Sequence, residues 1–152
     1  MSDKKPLIRE AAPDFTWEAT DVLAYKEDGA APFKAITRQV LFAEPELACE
    51  LRYFEMKAGG YSTLERHEHA HAVMILRGHG TCLVGNEVRA VKPRDLVSIP
   101  SLTWHQFRAA ADGPMGFLCM VNARRDKPQL PTAEELAALT ADAAVAAFLK
   151  MG

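Results

Sequence analysis

The sequence predicts an all-β domain, an antiparallel sandwich or barrel followed by a short helical tail. Three observations carry that expectation. From about residue 34 to residue 122 the apolar residues come in short runs ended by turn residues, the spacing of a many-stranded antiparallel fold. The chain has 152 residues, 49% hydrophobic and 25% charged, enough to enclose one hydrophobic core without disulfide staples. After "DKPQLP" the pattern changes to one rich in alanine and leucine, as in a helix.

Taken in order, residues 1–33 contain Pro6, Pro13, Gly29 and Pro32 and little periodicity, so they are expected to wrap the core as an arm or pair as an edge strand. Residues 34–125 are expected to hold the barrel. Its strand segments read "FKAITRQVLF", "ACELRYFEMK", "HAVMILRG", "TCLV", "EVRAV", "LVSIP", "HQFRA" and "MGFLCMVN". Turns are expected at "AGG" (58–60), "GN" (85–86), "KPRD" (92–95) and "ADGP" (111–114). Residues 126–152 form the tail of the same domain. Thr132 is placed to cap a helix, Glu135 completes a capping box, and "AALTADAAVAAFLK" continues the helical run. The tail is read as a packing lid, with a partner-binding helix as the alternative.

A net charge of −2 gives no electrostatic reason to expect nucleic acid or an acidic membrane as a partner. "MSDKKPLIRE" lacks an apolar signal region and no apolar run reaches membrane-span length, so a cytoplasmic protein is expected. The three cysteines, Cys49, Cys82 and Cys119, are an odd number at long spacings, which fits a reducing compartment rather than a disulfide framework.

Chemistry concentrates in "YSTLERHEHAHAVMILRGHG" (61–80), which holds four of the five histidines. On a straight strand Glu65, His67, His69 and His71 all project to one face. Four polar groups on an inward face are costly unless something binds them. Imidazoles with a carboxylate suit a divalent ion such as manganese, iron, nickel or zinc, and the lack of nearby thiolates argues against structural zinc. An exposed polar turn is the other reading, but it must accommodate the apolar "AVMILRG" that follows at once.

The intervals from Gly59 to Glu65, His67, His71 and Gly78 resemble the first motif of the cupin superfamily, with the family's first histidine and its glutamate exchanged. "RDLVSIPSLTWH" resembles the second motif: Pro100 and His105 match, whereas Arg94 and Leu102 stand where glycines occur and Ala109 where an asparagine does. The replaced glycines put the turn conformations in doubt. The resemblance implies a single-domain jelly-roll β-barrel of the RmlC-like type. It also implies one divalent metal ion per chain, manganese foremost, held by Glu65, His67, His71 and His105. His69 is left as a turn residue or a pocket acid or base, and His79 is expected to be exposed.

In "GFLCMVN", Phe117, Cys119 and Val121 share one face of a late strand. Cys119 is either an inert packing residue or a thiol directed at the metal pocket; Cys49 and Cys82 are read as packing residues. "LERHEHAHAVMILRGHG", "TWHQFRA" and "GFLCMVNARRDKPQLPTAEEL" resemble the methylsulfurylase family of small bacterial cupins in methylthioadenosine salvage. That resemblance implies a metal-dependent transferase moving the methylthio group of 1-methylthio-xylulose 5-phosphate to glutathione, giving deoxyxylulose 5-phosphate. Cys119 is then the catalytic residue that first accepts the group. A cupin dioxygenase, a sugar isomerase and a non-catalytic small-molecule binder are the competing readings. The sugar phosphate needs a cation, for which Arg52, Arg66, Arg77 and Arg108 are candidates. Trp104 and Phe107 either line the pocket or pack beneath it, with Phe107 read as core. A homodimer is expected by analogy with barrel cupins.

Overall fold

Alternating burial along the expected strands builds one curled antiparallel sheet, seen in a computed structural model that describes residues 5–25 and 34–150. In chain order the elements are β1 (Leu23–Ala24), β2 (Lys34–Phe42), β3 (Cys49–Tyr61), β4 (His71–Arg77) and β5 (Gly80–Val84). There follow β6 (Glu87–Val91), β7 (Leu96–Ile99), β8 (His105–Ala109), β9 (Met115–Asn122), α1 (Ala133–Thr140) and α2 (Ala143–Leu149). The strand order is β6-β5-β8-β3-β9-β4-β7, with β2 on the other edge of β3 and β1 on β2. Phe33 and the rest of residues 26–33 of the expected arm lie outside the described residues, as do residues 1–4 and 151–152.

β3 closes the curl. Its first part pairs with β9 from Cys49 opposite Asn122 to Met56 opposite Met115, and its last residue, Tyr61, pairs with Arg108 of β8. The strand therefore serves both walls of the barrel. A turn is expected at "AGG", but the strand runs through it and bends instead. Gly59 has φ +70 there, and an added Cβ meets nothing within 4 Å, so conformation rather than space favours glycine.

Register sets what faces inward. Phe54 lies opposite Phe117 and Arg52 opposite Cys119, while on the far side of β9 Val73 lies opposite Cys119 and Ile75 opposite Phe117. These inward rows form the main core with Met56, Ile99, Phe107 and Val121. On the outer face of β3, Tyr53 is fully buried beneath the N-terminal arm, with its ring 5.9 Å from Phe15 and 5.0 Å from Trp17. Gln39 secures the arm: its side-chain amide donates to the Phe15 carbonyl at 2.8 Å and accepts from the Trp17 N–H at 3.2 Å.

The tail begins as expected, Thr132 and Glu135 forming a reciprocal capping box. It then divides, because the Asp142 side chain accepts from the N–H groups of Ala144 and Val145 and starts a new helix. α2 buries Val145 and Phe148 against Leu64 and Leu83, a second cluster under the main barrel wall, so the lid reading holds for α2. The turn conformations at the replaced glycines are kept without glycine: Arg94 has φ 75 and Leu102 φ 55.

Candidate metal centre

Between β3 and β4 the chain leaves the regular ladder. Glu65 forms an isolated bridge with His105, its N–H donating to the His105 carbonyl at 3.2 Å and its own carbonyl accepting at 3.0 Å. This bridge joins the two histidine-bearing stretches, 40 residues apart in sequence, at one place in the wall. The strand does not run straight through: the backbone bends at Glu68 and His69 and resumes at His71. Even so, Glu65, His67, His69 and His71 all line one cavity of about 450 Å³, together with His105 and Cys119.

Within that cavity His67, His71 and His105 form a group able to hold a metal ion, with their ligand atoms all within 4.8 Å of one another. Two of the rings are oriented by backbone. His67 Nδ1 donates to the His69 carbonyl at 2.7 Å and His105 Nδ1 to the Thr103 carbonyl at 2.9 Å. A carbonyl only accepts, so each ring carries its proton on Nδ1 and leaves the Nε2 lone pair for a ligand. His71 Nε2 lies 3.4 Å from His105 Nε2, while its Nδ1 lies 3.3 Å from Cys119 Sγ. Burial, reinforced by the neighbouring rings, holds His71 down to about 2; burial likewise holds His105 at about 4 and lowers His67. All three rings are therefore neutral donors at neutral pH. Convergent lone pairs that resist protonation fit a divalent cation. Glu65 lines the same cavity without belonging to the three-imidazole group.

His69 occupies a bend and also faces the cavity. Its ring stacks on His67 with centroids 3.7 Å apart, and Nδ1 lies 2.7 Å from Asp126 Oδ1. Asp126 also accepts from the N–H groups of Glu68 at 2.8 Å and His69 at 3.2 Å, and these bonds hold its carboxyl well below the usual range. Nothing in the spacing of "ARRDKP" marks Asp126, since only the fold brings it to residue 69. His79 is exposed beside Asp112, as expected.

Cys119 is 2% exposed and directed inward by the alternation of β9. Burial pushes its thiol up, while the Arg52 guanidinium, 3.8 Å from Sγ, acts in the opposite direction. Cys82 is a core residue, Cys49 is half-buried, and all three cysteines are free thiols. Of the four arginines considered from sequence, Arg52 lines the cavity and the others are engaged elsewhere. Arg66 pairs with Glu135 at 2.9 Å over the Trp104 ring, Arg77 pairs with Glu55, and Arg108 lies over the Tyr61 and Phe148 rings. Arg38 and Arg125 also line the cavity and are not singled out by any sequence motif. Phe107 is buried in the core and borders the cavity; Trp104 packs on the tail cluster.

Comparison with known proteins agrees with this architecture. The model of the cupin domain matches residues 52–121. A 1-methylthio-D-xylulose 5-phosphate methylsulfurylase of Rhodospirillum rubrum is 61% identical over 148 residues, 97% of this chain and 94% of that protein. The crystal structure of a cupin-2 domain from Rhodospirillum rubrum superposes with a TM-score of 0.85 at 60% identity, covering 96% of this chain and 97% of that one. A cupin 2 conserved barrel domain protein from Rhodopseudomonas palustris gives 0.86 at 57% identity, covering 93% and 97%.

Proposed function

The chain belongs to the cupin family, and from that membership we propose that it is a metal-dependent 1-methylthio-xylulose 5-phosphate methylsulfurylase. The observation that carries the reading is the placement of Cys119 Sγ 3.3 Å from His71, at the edge of a three-imidazole group inside one cavity. The 61% identity to the Rhodospirillum rubrum methylsulfurylase supports the choice of substrate.

His67, His71 and His105, with the Glu65 carboxylate as a fourth ligand, would hold one divalent ion. Manganese is the ion proposed for this nitrogen and carboxylate donor set. When bound, it supplies Lewis acidity toward the ketone oxygen of the sugar. The protein's own residues do the rest. Cys119 loses its proton to solvent, and Arg52 stabilises the thiolate. That thiolate attacks the sulfur of the methylthio group. A Cys119–S–S–CH3 bond forms and the sulfur–C1 bond breaks, its electron pair passing to C1 and delocalising into the ketone as an enolate. C1 takes a proton from solvent and becomes the methyl group of deoxyxylulose 5-phosphate. Glutathione thiolate then attacks the outer sulfur, leaving as its methylthio disulfide and returning the Cys119 thiolate.

Three free cysteines suit a reducing compartment, supporting the cytoplasm as the site of action. A homodimer is proposed from the outward face of β4, β7 and β9, where Met74, Leu96 and Met120 are 40%, 62% and 55% exposed.

The test uses metal-loaded protein with 1-methylthio-xylulose 5-phosphate and glutathione. Deoxyxylulose 5-phosphate and the methylthio disulfide of glutathione should appear together, and Cys119→Ser should abolish both. Wild-type protein that releases no deoxyxylulose 5-phosphate overturns the assignment. Full activity in Cys119→Ser overturns the thiol's role alone.

A further inference from the structure

The cavity holds a cation that the chemistry described above does not use. Arg38, on β2, lines it, yet its Nε is buried without a hydrogen-bond partner and no carboxylate pairs with it among the described residues. Arg52, on β3, is 8% exposed, and its Nε is likewise buried without a hydrogen bond; its nearest paired carboxylate, Glu50, lies at 3.8 Å. Arg125, also at the cavity, is already engaged, donating to Glu50 at 2.7 Å and to the Asn122 carbonyl at 3.0 Å. A buried guanidinium N–H without an acceptor is costly unless a ligand supplies one. Both guanidinium groups lie by aromatic rings, Arg38 at 6.0 Å from the Tyr25 centroid and Arg52 at 4.9 Å from that of Phe54, which holds the planar forks in place without neutralising them.

We propose that Arg38 and Arg52 form the phosphate clamp of the cavity. This rests on the reading of the ligand as a sugar phosphate. The register places the two side by side: Arg38 lies opposite Phe54, so Arg52, two residues along β3, is its diagonal neighbour, about 7–8 Å away in an ordinary antiparallel pair. Arg52 in turn lies opposite Cys119. The order along the inner wall is thus thiol, shared arginine, unpaired arginine. In a five-carbon sugar 5-phosphate the phosphate is on the carbon farthest from C1, where the methylthio group departs. The reacting end meets Cys119 and the imidazoles, and the dianion meets two cations whose forked donors suit phosphate oxygens. Arg52 then touches both ends of the chemistry, the thiol and the phosphate, whereas Arg38 acts in binding alone.

Calorimetric titration of the metal-loaded full chain without glutathione tests this. The probes are 1-deoxy-D-xylulose 5-phosphate, unphosphorylated 1-deoxy-D-xylulose and inorganic phosphate. Wild-type protein should prefer the phosphorylated sugar by at least about tenfold, and Arg38→Gln should lose that preference while keeping its metal content and circular dichroism. Arg89→Gln, which removes an exposed arginine outside the cavity, should keep it. Arg38→Lys preserves the charge without the fork; intermediate affinity supports the clamp and guards against a folding defect in the glutamine variant. Wild-type protein indifferent to the phosphate, or Arg38→Gln with undiminished preference, overturns the clamp. Because no turnover is involved, an Arg38-dependent preference in a protein that fails to transfer methylthio groups supports the clamp and sinks only the transferase reading.

Discussion

His105 serves two purposes: its backbone pairs with Glu65 and its ring faces His71. His105→Ala keeps the first and removes the second, so metal per chain, measured by elemental analysis after dialysis, should fall at least about tenfold while the strand signature in circular dichroism persists. Retention of full metal would exclude this ring as a ligand. The lowered imidazoles also make acid stability predictable. His105 stays neutral in the folded state down to about 4, whereas the unfolded chain takes up that proton near 6.5. Between those values the unfolded state binds more protons, so metal-free protein should lose stability as pH falls through this window, on the order of 3 kcal/mol from His105 alone. Urea midpoints at pH 7, 5.5 and 4.5 check this, and a flat series contradicts it. Leu102, exposed and left-handed at φ 55, carries strain that glycine does not. Leu102→Gly should therefore raise unfolding stability by about 1 kcal/mol, provided its N–H still donates to the His67 carbonyl at 2.7 Å.

Among the elements, β9 shows how much a simple alternation carries. Its period of two, read from "GFLCMVN", places Phe117, Cys119 and Val121 inward, and the structure buries all three. The eight expected strand segments appear as β2 to β9; the turns expected at 85–86, 92–95 and 111–114 hold, while β3 runs on through the one expected at 58–60. β1 has only two residues and leaves no periodic trace in sequence. The bend in β3 was equally hidden: a glycine pair reads as a turn, and only pairing to two different strands shows it to be a corner. In the tail, the Asp142 cap divides an alanine-rich run that looks continuous. α2 contributes through Phe148, 1% exposed under the Arg108 guanidinium. Phe148→Ala should cost about 3 kcal/mol in chemical denaturation, and a loss below about 1 kcal/mol would mean that the tail is not part of the core.

For the whole molecule, part of the outer wall formed by β4, β7 and β9 is apolar and exposed among the described residues. Met74 lies opposite Leu96 on β7 and Ala72 opposite Met120 on β9, forming an apolar band on the outer wall. A self-complementary contact through this band gives the proposed homodimer. Light scattering should report a dimer for the wild type and a monomer for Met120→Glu, since Met120 lies on the outward face of β9, opposite to that of Cys119. A monomeric wild type at tens of micromolar, a concentration at which a dimer of about 1 μM affinity persists, would contradict it.

By itself, the sequence determined the all-β class, the strand segments, the capping box and the residue types gathered near residue 67, because these depend on local period, turn chemistry and short intervals. The tertiary structure decided which groups meet. His105 reaches His71 only through the bridge to Glu65, Asp126 reaches His69 across 57 residues, and Arg38 comes to the cavity through its place beside β3. Of the four arginines weighed from sequence, two pair with carboxylates, Arg66 with Glu135 and Arg77 with Glu55, and Arg108 lies over the Tyr61 and Phe148 rings outside the cavity. Whether a cation is satisfied or left for a ligand depends on neighbours distant in the chain, and spacing along one strand carries no record of them.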